Sequence, residues 1–162
     1  MTGTGIGGKY ALIGMAESDV GIVPDKSPRE LCVEVTLDAV RDAGLKLSDV
    51  DGLITCNAFA EPIMYHAEAV AEYLGWEPRH CVTVNTGGGT TFMALNMAAA
   101  AIEAGMADTI VVAMADSLRS FMTREQAMVV QSSSGHPHYE QPYGPTVPAY
   151  YGLIARAHID QY

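Results

Sequence analysis

Asn85-Thr-Gly-Gly-Gly-Thr-Thr-Phe-Met-Ala-Leu-Asn-Met-Ala-Ala-Ala-Ala-Ile-Glu-Ala-Gly105 carries the strongest structural signal in the sequence. Its three glycines follow a short Val/Thr run, Cys81-Val-Thr-Val-Asn85, and open fifteen residues (90–104) of which only Thr90, Thr91, Asn96 and Glu103 are not apolar. Six of the fifteen are alanine. The stretch reads as strand, tight turn and helix, with Gly105 ending the helix as a C′ residue. An ordinary crossover helix carries a charged outer face, whereas one that is apolar all round is buried on every side. The expectation is a helix with a sheet on one side and a further protein layer on the other.

The same alternation extends in both directions. Tyr10-Ala-Leu-Ile-Gly-Met15, Gly52-Leu-Ile-Thr-Cys56 and Thr109-Ile-Val-Val-Ala-Met114 read as further strands. Ser27, Pro28 and Glu30 start a helix: the serine caps it, the proline suits its first position, and the glutamate completes a capping box. Leu31, Val35, Ala39 and Ala43 follow at intervals of four, and Gly44 ends the element. Another helix is expected over 63–74, ended by Gly75. This β-α-β-α-β-α-β order predicts an α/β fold with a mostly parallel sheet and right-handed crossovers.

Beyond residue 116 the pattern weakens. A short helix is expected over Arg124–Val130, then a long polar loop over 131–145, of a length usually reserved for function. A last helix runs from Val147 to Tyr162 without a C-cap, so the sequence reads as the front part of something larger. The expected organisation is a flexible tail (1–8), an α/β core (9–116), a loop region (117–146) and a helix (147–162).

Composition limits the function classes. The 162 residues are 49% hydrophobic and 17% charged, enough apolar material for a real core and too much for disorder. The net charge of -10 argues against nucleic acid or an anionic membrane surface, which require clustered Lys and Arg. The longest stretch without a charge, His80–Ile102, is broken by Asn85 and the glycines, so no membrane span is expected. The N-terminus has neither the basic region nor the apolar core of a signal peptide. Cys32, Cys56 and Cys81 form no CxxC pair and no closed disulfide set, which points to a reducing, cytoplasmic setting without a metal site.

Gly3-Thr-Gly-Ile-Gly-Gly8 matches G-x-G-x-x-G but precedes the first expected strand, where no helix N-terminus could meet a pyrophosphate. Asn85, Gly87, Gly88 and Gly89 have the right context. They follow a strand and open a helix whose free N–H groups and dipole favour an anion or oxyanion, unless the turn is only a packing device. No cysteine stands at a helix N-terminus, so each reads as a small buried hydrophobe. His136, His138, Tyr139 and Tyr143 could supply acid/base groups or pack as a rim loop on a neighbouring subunit. Met93, Met97 and Met114 read as core, and His66 and His158 as helix-surface residues.

From Val82 to Asp108 the sequence resembles the thiolase superfamily, and more closely its sterol-carrier-protein-x or lipid-transfer-protein branch. Ala11-Leu-Ile-Gly-Met15, Asp49-Val-Asp-Gly-Leu-Ile54 and Tyr139-Glu-Gln-Pro-Tyr-Gly-Pro-Thr-Val-Pro-Ala149, leading into Ala155-Arg-Ala-His158, extend the likeness over nearly the whole chain. It covers only the N-terminal half of such an enzyme. The resemblance implies one half of a layered α/β/α/β/α fold, with the apolar helix in the central layer. Thiolases carry a nucleophilic cysteine where that helix begins. Counting back from Gly105 puts Gly88 there, and a glycine cannot form an acyl-enzyme.

Members of this branch without the cysteine resemble acyl-CoA enzymes that can cleave carbon–carbon bonds by a retro-aldol route, often beside a small OB-fold/zinc-ribbon partner. A general base and an oxyanion site suffice for that. The expected function is therefore the N-terminal domain of a thiolase-like, acetyl-CoA acetyltransferase or lipid-transfer type enzyme making or cleaving a C–C bond at an acyl-CoA. The alternative is a non-catalytic acyl-CoA or lipid-binding subunit supporting an active partner. Thr90, His136 and Tyr143 are the candidate catalytic groups, and Asn85, Gly87, Gly88 and Gly89 the candidate substrate-binding ones. A coenzyme A thioester is expected as substrate, with no covalent cofactor. A C-terminal half or second subunit is the expected partner, in a homodimer.

Overall fold

A computed structural model describes residues 7–133 and 135–162. Residues 1–6 of the expected tail, and with them most of the Gly3–Gly8 motif, lie outside the described residues. The chain divides into two compact units, Met1–Ser117 and Leu118–Tyr162.

In the first unit, helix α1 (Pro28–Asp42) starts where the capping box places it: Ser27 Oγ accepts from the Glu30 N–H, and the Glu30 carboxylate accepts from the Ser27 N–H. Strand β1 (Gly52–Thr55), helix α2 (His66–Tyr73), strand β2 (His80–Thr83), helix α3 (Thr90–Glu103) and strand β3 (Ile110–Ala113) follow. The three strands form a parallel sheet in the order β2-β1-β3, with Leu53 opposite both Cys81 and Val111. Every residue of the central strand β1 is buried, as a strand covered on both faces requires.

Alternation along β1 sends its side chains to two cores. Leu53 packs with Cys32, Ala67, Val70, Ala71 and Ala113 under α1 and α2. Ile54 packs with Val84, Ala94 and Ala98 under α3. Gly52, on the α3 side, is needed because a Cβ there would lie 2.6 Å from the Ile110 side chain.

Four expectations need correction. Tyr10–Met15 is not a strand: it has no ladder, and Leu12 is 82% exposed. The segment is instead held by α1, whose Asp42 carboxylate accepts from the Met15 N–H, with Gly14 pressed against Ala39 and Ala43. The second helix begins at His66 rather than 63, and His66 is not on the surface but 0% exposed. Long-range anchors set that start, since Ala67 N–H donates to Thr83 Oγ1 and the His66 ring meets Thr55. Met93 is exposed rather than core. The stripe of α3 that meets the sheet is Thr90, Ala94, Ala98 and Ala101, while Phe92 is 73% exposed. Within this chain α3 is thus buried on one side, and its other apolar face is open.

The second unit contains α4 (Leu118–Phe121), which the sequence pattern does not reveal, α5 (Arg124–Ser132) and α6 (Val147–Gln161). A capping box between Thr123 and Gln126 starts α5. Thr146 caps α6, none of whose residues is buried.

Candidate functional site

In open α/β sheets ligands bind beyond the carboxyl ends of the strands. Three segments meet there in the first unit: Cys56–Tyr65 after β1, Val84–Gly89 after β2, and Met114–Ser117 after β3. The first is tied down at two points. Asp116 accepts from the N–H groups of Phe59 (2.7 Å) and Ala60 (3.3 Å). Glu61 pairs with Arg29 at 3.1 Å, and that guanidinium lies 4.4 Å over the Tyr73 ring.

The glycine turn is built around Thr90. Its hydroxyl donates to the Gly87 carbonyl (2.6 Å) and accepts from the Thr86 N–H (2.9 Å), closing a single 3-10 turn over Gly87–Gly89 that runs directly into α3. Gly87 has φ +67°, a left-handed conformation that favours glycine. Gly88 does not, and a Cβ built on it would meet nothing within 4 Å. Asn85 to Gly89 are all exposed, so the helix N-terminus presents bare backbone to open space. Thr90 itself is buried, and its hydroxyl is engaged inside the turn.

None of the three thiols is poised as a nucleophile. Burial pushes Cys32 up to about 12 and Cys81 up to about 11, and burial together with the nearby Asp116 raises Cys56. A raised thiol holds little thiolate at neutral pH.

His136 and Tyr143 belong to the second unit, and both are exposed. The His136 ring lies 4.8 Å from Tyr139 and 6.0 Å from His138, centroid to centroid. Its backbone N–H donates to the Glu140 carboxylate. Tyr143 ends a 3-10 turn over Gln141–Tyr143. His158 lies on the surface of α6, as expected, against Tyr162.

A shallow concavity of about 700 Å³ lies elsewhere, between α2 residues Glu68 and Glu72 and the following Trp76, Glu77 and Cys81. It includes no residue of the glycine turn. Among the described residues no group of three or more His, Cys, Asp or Glu side chains could hold a metal ion. No described helix is long and apolar enough to cross a membrane. His66 and Asp116 are the structural residues at this edge that sequence patterns miss, because their partners are 11 and 56–57 positions away.

No family model matches the chain. It is 29% identical over 162 residues to the 17-hydroxy-3-oxo-4-pregnene-20-carboxyl-CoA lyase of Mycobacterium tuberculosis (95% of this chain, 41% of the lyase). It is 24% identical over 155 residues to the acetyl-CoA acetyltransferase of Methanothermobacter thermautotrophicus (94% of this chain, 40% of that enzyme). Among solved structures it resembles the Ltp2-ChsH2(DUF35) aldolase, at TM-score 0.65 and 29% identity, over 85% of this chain and 34% of that one. The chain thus spans about two fifths of the length of the curated relatives it matches. Sequence likeness and fold agree: both support a thiolase-superfamily, lipid-transfer-like domain.

Proposed function

We propose that this chain forms the N-terminal half of an acyl-CoA enzyme that cleaves a carbon–carbon bond by a retro-aldol route. The observation that carries this is the bare helix N-terminus at Gly88, the position where the resemblance to thiolases implies a cysteine. With no side chain there and no low-pKa thiol in the chain, an acyl-enzyme has no site. The lyase and aldolase names of the relatives point the same way.

In a 3-hydroxyacyl thioester, a base removes the hydroxyl proton and a carbonyl forms as the Cα–Cβ bond breaks. The electron pair passes to the thioester as an enolate, which then takes up a proton. Backbone N–H groups and the dipole of α3 would stabilise that enolate oxygen. Asn85, Gly87, Gly88 and Gly89 bind the thioester in this scheme. Thr90 acts as a positioning residue that sets the turn, because its hydroxyl is committed to Gly87 and Thr86. His136 and Tyr143 remain the proposed acid/base groups.

Incubating the complete protein with 3-hydroxyacyl-CoA thioesters, of fatty and steroid type, is expected to yield a carbonyl product and a shorter acyl-CoA. The intact protein mass should stay unchanged. An acyl adduct on Cys32, Cys56 or Cys81 would overturn the retro-aldol route in favour of thiolase chemistry. Thioester binding with neither product nor adduct would favour the non-catalytic subunit instead.

The open apolar face of α3, with Phe92 and Met93, is the proposed seat of a C-terminal half or a second copy. Expressed alone, the chain is expected to dimerise or to bind a hydrophobic-surface dye strongly. A monodisperse monomer by light scattering, without dye binding, would count against that assignment. A small second subunit is proposed on the likeness to the two-component aldolase.

A further inference from the structure

We propose that His66 is an acid-sensitive latch on the 57–65 loop. This residue opens α2 and is 0% exposed. Nδ1 of the ring lies 3.0 Å from Oγ1 of Thr55, itself fully buried, and Nε2 is buried with no hydrogen-bond partner. The neutral ring fits that space. A protonated ring would not, because it would need acceptors for two N–H groups and would sit at the positive end of the α2 dipole.

The groups packed around it are mixed in charge. Arg29 comes from α1, Glu61 from the loop, and Asp116 from the segment after β3. Thr55 of β1, which meets the ring, is neutral, as is Thr83 of β2, which accepts from the next residue, Ala67. Burial lowers the proton affinity of the ring. Arg29 adds to that, while Glu61 and Asp116 oppose it without reversing it. The closed form thus binds a proton more weakly than an open form with the ordinary histidine value of 6.5.

The sign follows from that difference. Neutral and alkaline pH favour the closed form, and acid below about 6.5 favours opening, up to tenfold per pH unit. When the ring leaves, the first turn of α2 loses its tie to Thr55, and the adjoining loop loses its anchor at residue 66. That loop carries the exposed Phe59, Met64 and Tyr65. The carboxylate ties through Asp116 and Glu61 hold its other end. The opening is local, of the kind native-state exchange detects.

Hydrogen exchange of the full chain between pH 8 and pH 5.5, corrected for intrinsic rates, tests this within a window above the ordinary carboxylate range. Peptides covering 57–73 should open measurably more at pH 5.5, by up to about tenfold, while α3 keeps its protection. In His66→Gln, whose neutral amide can still meet Thr55, the response should vanish. An equal acid response in wild type and variant, or none in wild type, overturns the proposal. Where the variant fails to fold, ring NMR of the wild type decides: one histidine should change only together with the loop. Five histidines titrating near 6.5 with the loop still closed would overturn it.

Discussion

Gly88→Trp is expected to abolish acyl-CoA turnover, lowering kcat/KM by at least about 10²-fold, the scale on which loss of an oxyanion donor acts. The fold should survive. Gly88 lies outside the left-handed region and a Cβ there would meet nothing within 4 Å, so a side chain can start from this position without backbone strain. What it does meet is whatever binds at the turn. Far-ultraviolet circular dichroism and melting temperature should therefore stay close to wild type while turnover and ligand affinity fall. Unchanged turnover and affinity would make the turn a packing device and sink the site assignment. Gly88→Cys should behave differently: a thiol at the N-terminus of α3 has its pKa lowered by the helix dipole, and accepts an acyl group that mass spectrometry can detect. Gly87→Ala makes the contrasting control, because at φ +67° it strains the backbone whatever the turn does.

How much of this was legible in the sequence depended on the range of the interaction. The capping box at Ser27 and Glu30, the glycine ends of α1, α2 and α3, and the strand-turn-helix around Gly87 are all local, and each was readable from neighbouring residues. The parallel sheet followed from their alternation, apart from one element. Tyr10–Met15 has the composition of a strand, but composition cannot show that its N–H groups lack a ladder and that Asp42 holds it instead. His66 failed for the same reason. A histidine at the start of an amphipathic helix looks solvent-facing until Thr55 is known to lie beneath it. Along α3, composition gave the apolar character on every side but not the fact that only the Thr90–Ala94–Ala98–Ala101 stripe meets the sheet of this chain.

The candidate site divides along the same line. The turn's freedom from side chains follows from Gly87-Gly88-Gly89 alone, whereas its exposure does not, because the same glycines could serve to fit two layers together. The engagement of Thr90 does not, because a threonine opening a helix can equally point its hydroxyl outward. The structure gives that hydroxyl two partners inside the turn, Gly87 and Thr86, which is why we assign it to positioning.

Asp51→Ala should be the most destabilising single change among the polar residues of the first unit, at about 2–3 kcal/mol. Asp51 stands at the amino end of the sheet, opposite the glycine turn. Its carboxylate accepts from the N–H groups of Asp108 (2.8 Å) and Thr109 (2.9 Å) and from the Arg79 guanidinium (2.7 Å). Its backbone joins the same seam: its N–H donates to the Thr109 carbonyl, and its carbonyl accepts from the His80 N–H. One side chain therefore fixes where β3 enters the sheet beside β1. Alanine would remove the shared acceptor of the exposed Asp108 and half-buried Thr109 N–H groups, and at this chain length the loss lowers Tm by roughly 5–10 °C. Arg79→Ala should cost far less, about 0.5 kcal/mol, because that arginine is mostly solvated and its ion pairs are screened. Burial pushes the Asp51 carboxyl up, but the N–H donors of Thr109 and Asp108, with Arg79, outweigh it and leave it below the ordinary 3.8. A lowered carboxyl contributes stability above its unfolded value and loses it as pH falls through that value. The gap between wild type and Asp51→Ala should accordingly be full at neutral pH and shrink below about pH 4. Thermal melts of the two proteins at pH 7 and pH 3 would measure it. Equal effects of Asp51→Ala and Arg79→Ala would mean that the ion pair, and not the two backbone donors, holds the seam.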